Sequence, residues 1–190
     1  MADPSRTDVV MNAEAFMEWY DLQPKGRRYE LLDGRIIEMQ SERATHARTK
    51  AACYIALRRA IVSGKLPCEV FPDGMAVRVD AKTIFEPDAM VRCGPRVAGD
   101  TVLITDAVIV VEVLSPATQH VDVFRKFNRY LSNLGIVHYI IINSVDKNLV
   151  HHRRTEDGRI ESAHHQDGTL ILDPPGLVLD VESLFAEADA

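Results

Sequence analysis

Glu112 stands inside the run VIVVEVLSP (108–116), where its neighbours are the apolar, β-branched residues of a buried strand. An ionised carboxylate in such a place costs several kcal/mol unless a cation, hydrogen bonds or a metal compensates it. A second acid, Asp88, follows Pro87 in EPDAMV (86–91), near the middle of another predicted strand. If the two strands are neighbours, both carboxylates project from one face at one end of a sheet. Each acid then explains the other, because paired hard oxygens are the natural ligands of a divalent cation, Mg2+ or Mn2+. The backbone carbonyl of Val113 adds a neutral oxygen, since the chain leaves the regular ladder just beyond it at Ser115-Pro116.

Lys126 lies on the polar face of a predicted helix that leaves the same strand end, from which its ammonium can turn back toward the metal. A cation there orients water or stabilises the charge that develops in phosphoryl transfer. Arg125 and Arg129 are placed to meet neighbouring phosphates, Arg129 on the side nearer Lys126, so the combination calls for a phosphodiester. Plainer readings exist: Asp88 and Glu112 as strand-end acids held by amides or basic side chains, and Lys126 as the partner of Asp122 one turn earlier. His151-His152 and His164-His165 suggest a metal tract, but adjacent strand residues point to opposite faces, and solvated hairpin positions are expected. Ser115 lacks a nucleophile elbow and reads as a loop or capping residue, and Arg58-Arg59 as a solvated helix edge.

The elements that must position these residues follow from pattern. Asn12 caps a short helix through Phe16, Met17 and Trp19. Asp33-Gly34 divides two short apolar runs into a hairpin over 29–39. Apolar positions at Ala47, Ala51, Tyr54, Ile55, Ile61 and Val62 predict a helix over 45–62, stopped by Gly64. Strands are predicted over 68–71, 75–79, 84–92 and 107–114. A second helix starts between Thr118 and Val121, with Val123, Phe127, Tyr130, Leu131 and Leu134 as its stripe and Gly135 as its end. A strand over 137–143 then completes a parallel crossover, followed by a closing meander through Leu172 and a last turn of helix. The predicted fold class is α/β in the broad sense, an α+β mixed sheet flanked by two helices.

At 190 residues the chain suits one domain, with its core over about 13–185. Hydrophobic residues make up 46% and charged residues 26%, as in ordinary soluble folds. The net charge of -6 argues against nonspecific coating of nucleic acid, which depends on lysine and arginine, but leaves room for a local basic cleft. No signal peptide or membrane span is recognisable, which points to a cytoplasmic protein without membrane contact. Cys53, Cys68 and Cys93 have no metal-like spacing and read as buried thiols in a reducing compartment, without a disulfide.

YELLDGRI, PDAMV, VVEVLSPAT and the later series Asp122, Lys126, Tyr130 and Gly135 resemble the Uma-type putative restriction endonuclease family of the PD-(D/E)XK nuclease superfamily. The likeness runs from about Ala13 to Phe185. It implies a restriction-endonuclease-like core with an N-terminal hairpin and a C-terminal β-meander. By position, Asp88 and Glu112 match the metal-binding acids and Val113 the variable residue after them. Leu114 occupies the place of the usual lysine, and Lys126 fits a lysine relocated to the following helix. Glu30 and His46 match further family positions and are accessory candidates. The function implied is Mg2+-dependent hydrolysis of nucleic acid, DNA being expected, by a metal-activated water in a homodimer. The alternative is an inactive member of the fold that binds nucleic acid or a protein partner.

Overall fold

The computed structural model describes residues 10–114 and 122–185. Helix α1 (Ala13–Asp21) starts at Asn12, whose Oδ1 accepts Ala15 N–H at 2.8 Å, the predicted cap. Strands β1 (Tyr29–Leu32) and β2 (Arg35–Glu38) form the predicted hairpin. Asp33 and Gly34 both have positive φ, 53° and 79°, which gives the tight mirror-image turn that matches strand twist. A Cβ on Gly34 would lie 2.9 Å from Met11 O, so this glycine also admits the chain that crosses the turn.

Helix α2 (Ala44–Gly64) ends on Lys65 in the left-handed conformation, φ 51°, rather than on Gly64. Its buried face is Thr49, Lys50, Ala52, Cys53, Ala56, Leu57 and Ile61. That face is rotated from the predicted one: Ala47, Ala51 and Val62 are exposed, because small outward alanines imitate an apolar stripe without being buried.

After β3 (Cys68–Pro72) and β4 (Ala76–Asp80), the predicted strand over 84–92 is two strands, β5 (Thr83–Phe85) and β6 (Ala89–Cys93). Glu86-Pro87-Asp88 interrupts them, and a proline without an N–H is suited to the break. The chain changes sheets there. β5 joins a five-stranded sheet, β2-β1-β5-β4-β7, with β7 at Leu103–Ile104. β6 joins a six-stranded sheet, β11-β10-β9-β8-β6-β3, formed with β8 (Ala107–Leu114), β9 (His138–Asn143), β10 (Asn148–Arg154) and β11 (Ile160–His165). The single predicted mixed sheet is therefore two. β8 runs parallel to β9 and antiparallel to β6, as the crossover reading required. β12 (Thr169–Leu172) and β13 (Leu177–Asp180) form a separate ribbon beside α2, followed by a 3-10 turn at Glu182–Leu184.

The predicted helix start between Thr118 and Val121, like Ser115, falls outside the described residues. The described part of this helix, α3, is Asp122–Tyr130, so it ends before Gly135 and leaves Leu134 77% exposed instead of in the stripe. Cores lie on both faces of the six-stranded sheet. Ile109, Val111 and Val113 pack with Cys53, Leu57 and Ile61 of α2, whereas Val110 packs with Phe85, Tyr130 and Tyr139. The end of β8 is thus enclosed between α2 on one side and α3 with the five-stranded sheet on the other.

Two side-chain expectations are corrected. Cys68 and Cys93 are directly paired across β3 and β6 and form a disulfide, while Cys53 is free and its thiol is pushed up to about 12, by burial and then by the Asp88 charge. His151 is buried rather than solvated, with Nε2 2.9 Å from His138 Nδ1. Burial lowers His138 to about 4 and His151 to about 3.

Candidate active site

A cavity of about 440 Å3 opens at the carboxyl end of β8, a size suited to a small ligand or one unit of a polymer. Glu30, His46, Asp88, Glu112, Val113, Arg125 and Lys126 all line it. Arg129 does not. Its guanidinium turns to Asp33 in the hairpin turn and toward Asp80, 4.0 Å away.

Asp88 sits in the break before β6, where its Oδ2 accepts the Val113 N–H at 2.7 Å. It is met from the α2 side: His46 Nε2 is 3.4 Å from Oδ2 and Lys50 Nζ is 3.6 Å from Oδ1. His46 also donates from Nε2 to Val113 O at 2.8 Å, while Nδ1 lies 2.9 Å from Glu42 Oε2. Both ring nitrogens face acceptors, which requires the imidazolium. Burial alone pulls His46 down, but Asp88, Glu42 and the Val113 carbonyl outweigh it and raise the ring to about 9.

Glu112 is met from the opposite side. Lys126 Nζ lies 3.0 Å from its Oε1 and 2.9 Å from Glu30 Oε1, and Tyr130 donates its hydroxyl to the same Glu112 oxygen at 2.8 Å. Glu30 Oε1 also accepts the Glu86 N–H at 2.9 Å, which ties the hairpin to the sheet break. Burial opposes the Lys126 charge, yet Glu112 and Glu30 hold the ammonium well above its ordinary value. Glu112 is raised to about 7, first by burial; one ammonium cannot neutralise it together with the nearby charges of Asp88 and Glu30. The two directions agree: the lysine stays charged and the surplus falls on the acids.

The donor set fits a hard divalent cation in kind, with two carboxylates and the Val113 carbonyl. His46 Nε2, positively charged and within reach of both Asp88 and Val113 O, stands where a cation shared by those two oxygens would stand. Among the described residues there is no group of three or more His, Cys, Asp or Glu side chains gathered for a metal. Binding through Asp88, Glu112 and Val113 O therefore requires His46 to give way.

A second ring of residues, unmarked in the sequence, surrounds these groups. Arg28 reaches Glu86 at 2.8 Å and Asp73 at 3.0 Å, and Lys50 reaches Glu42 and Asp73, each at 2.7 Å. Lys50 alone gave a signal: a buried lysine needs paired acids, but on an amphipathic helix it reads as solvated.

The mixed run β6-β8-β9, with α2 packed on one face and α3 on the other, is the core of a restriction-endonuclease-like α+β fold. A crystal structure described as that of a putative nuclease belonging to DUF820, from Anabaena variabilis, matches over 90% of this chain and 97% of that one, with TM-score 0.72 at 16% identity, a likeness of fold. The family model for Uma2, putative restriction endonuclease, matches residues 13–184, and the chain belongs to that family. Uncharacterized protein slr1290 of Synechocystis is 26% identical over 156 residues, 82% of this chain and 80% of that protein. The protein is accordingly nuclease-like. No helix among the described residues is long and apolar enough to cross a membrane.

Proposed function

We propose that this protein is a divalent-metal-dependent endonuclease that hydrolyses phosphodiester bonds of DNA. The observation that carries the reading is Lys126, which comes from α3 yet lies 3.0 Å from Glu112, although Leu114 occupies the expected lysine position on β8. This proximity supports reading Lys126 as the relocated lysine. Asp88, Glu112 and Val113 O would hold Mg2+ or Mn2+, which when bound supplies charge neutralisation for the phosphate and a more acidic water. Lys126 stabilises negative charge that develops on the phosphoryl oxygens, while Glu30 and Tyr130 orient Lys126 and Glu112. For Val113 O to hold a cation, His46 would have to release it, and Arg125, exposed at the rim, meets a flanking phosphate. A homodimer presenting two such sites belongs to the same proposal, as does a cytoplasmic setting.

A second reading, an inactive nuclease-fold binding module, draws support from the same geometry. Asp88, Val113 O and Glu112 each already have a partner within the chain. Strand cleavage separates the two. Mixed nucleic acids incubated with Mg2+ or Mn2+ should be cut by the wild type and not by Glu112→Ala; binding without cleavage under either cation would favour the module.

A further inference from the structure

Three cationic side chains converge on one carboxylate at the rim of this cavity. Lys50 Nζ is 2.7 Å from Glu42 Oε1, His46 Nδ1 is 2.9 Å from Oε2, and Arg28 Nη1 is 3.7 Å from Oε1. Two of the cations are fixed without Glu42. Asp73 Oδ2 holds Arg28 at 3.0 Å and Lys50 at 2.7 Å, and Glu86 holds the other edge of the guanidinium at 2.8 Å. Glu42 itself is the most accessible carboxylate of the set together with Asp73, with its side chain 31% exposed against 11% for Asp88 and 7% for Glu86. It directly precedes Arg43, the cap residue of α2, whose first turn has no side-chain cap and no acidic residue. The cluster therefore resembles an anion site with an internal anion in place.

We propose that Arg28, His46 and Lys50 form a phosphate-binding subsite whose resting occupant is the Glu42 carboxylate, displaced when a phosphate of the substrate arrives. A phosphodiester carries one negative charge, as does Glu42, so exchange with a diester preserves the charge of the cluster, while a terminal monoester brings up to one more. Its tetrahedral oxygens reach three converging donors better than a planar carboxylate does, and the guanidinium is a good fork for them. Lys50 and His46 also touch Asp88, so a phosphate held here sits beside the bond cleaved in the proposed reaction. The inference rests on that reading for the identity of the substrate, not for the affinity for phosphate. The phosphate is either an internal diester next to the scissile one or a terminal monoester.

The test is a titration of metal-free protein with inorganic phosphate, followed by the imidazole resonances of His46, beside binding of a fluorescent single-stranded oligonucleotide by anisotropy. Glu42→Gln removes the internal competitor and should tighten both ligands about fivefold or more, whereas Arg28→Gln should weaken both about tenfold. Equal or weaker binding by Glu42→Gln, or wild-type binding by Arg28→Gln in protein of native circular dichroism, overturns the proposal. A gain in Glu42→Gln confined to 5′-phosphorylated oligonucleotide identifies a terminal monoester, and an equal gain with a 5′-hydroxyl end identifies an internal diester. Cleavage is scored separately: wild type that binds phosphate as expected but cuts nothing with Mg2+ or Mn2+ contradicts the nuclease reading alone.

Discussion

Replacing Lys126 by methionine tests the acid–lysine centre through stability before any substrate is added. The ammonium lies 2.9 and 3.0 Å from two carboxylates, and the three side chains are only 16%, 7% and 13% exposed. Removing one member of a buried ion pair leaves uncompensated charge and costs about 3–5 kcal/mol. Glu112, already raised to about 7, can relieve part of this by taking a proton, so the lower end, about 3 kcal/mol, is expected at neutral pH. For a chain of this length that is a fall in Tm of roughly 6–12 °C. The assay is thermal and urea unfolding at neutral pH, with Glu112→Gln alone and combined with Lys126→Met. The double variant should recover much of the loss, because the methionine then faces one charge fewer. A Tm for Lys126→Met within a degree of wild type, or losses that simply add, would mean that Lys126 does not neutralise Glu112 and Glu30 in the folded protein. Activity must be compared on folded protein, where a loss of about 100-fold or more is expected, roughly 2.7 kcal/mol in the barrier.

Asp88→Ala should abolish the rise in Tm that saturating Mg2+ or Mn2+ gives the wild type, about 2.7 kcal/mol at a hundredfold excess over Kd. It should also destabilise the metal-free protein, since it strips acceptors from Val113 N–H and His46; a more stable apo variant would contradict that. His138 and His151, buried and facing Arg153, Asp173, His152 and His165, bind protons more readily in the unfolded chain. Their contribution is complete above the unfolded value near 6.5 and is lost as pH falls through it toward about 4 and about 3. For His138 alone this is roughly 3 kcal/mol, and denaturation curves in which His151→Phe leaves the acid limb unchanged would count against it. Reduction of Cys68–Cys93, which are 25 residues apart, should cost about 3 kcal/mol by chain entropy, read as a lower urea midpoint in dithiothreitol than in its absence.

The parts of the fold legible in the sequence are those coded locally. Asp33-Gly34 specified its hairpin because only certain residues tolerate two successive positive φ angles, and the β-branched run around Glu112 specified β8. What escaped depends on register and on contacts across the chain. The apolar residues on either side of Glu86-Pro87-Asp88 look like one strand, and only the packed sheets show that they belong to two. The spacing of Cys68 and Cys93 says nothing until β3 and β6 align them, and the burial of His151 depends on His138 of the neighbouring strand, which meets its Nε2 and is itself tied to the Pro174 carbonyl. At the site, Glu112 stood out as an acid in an apolar strand, whereas Lys126 was marked only by the family resemblance and by its place on the helix that leaves that strand. Arg28, Glu42, Lys50 and Asp73 are ordinary surface types in sequence, and their partners lie up to 58 positions away.

Glu112, held by Lys126 and Tyr130, is proposed as part of a hydrolytic centre. Single-turnover cleavage of an end-labelled DNA by wild type and Glu112→Gln, with Mg2+ and with Mn2+, tests it most directly, because glutamine keeps the shape and an acceptor for Tyr130 while removing the charge. Cleavage by wild type that falls about 100-fold or more in Glu112→Gln, with DNA binding retained, is the result expected. Equal cleavage by the two proteins, or none by the wild type with either cation, would contradict it.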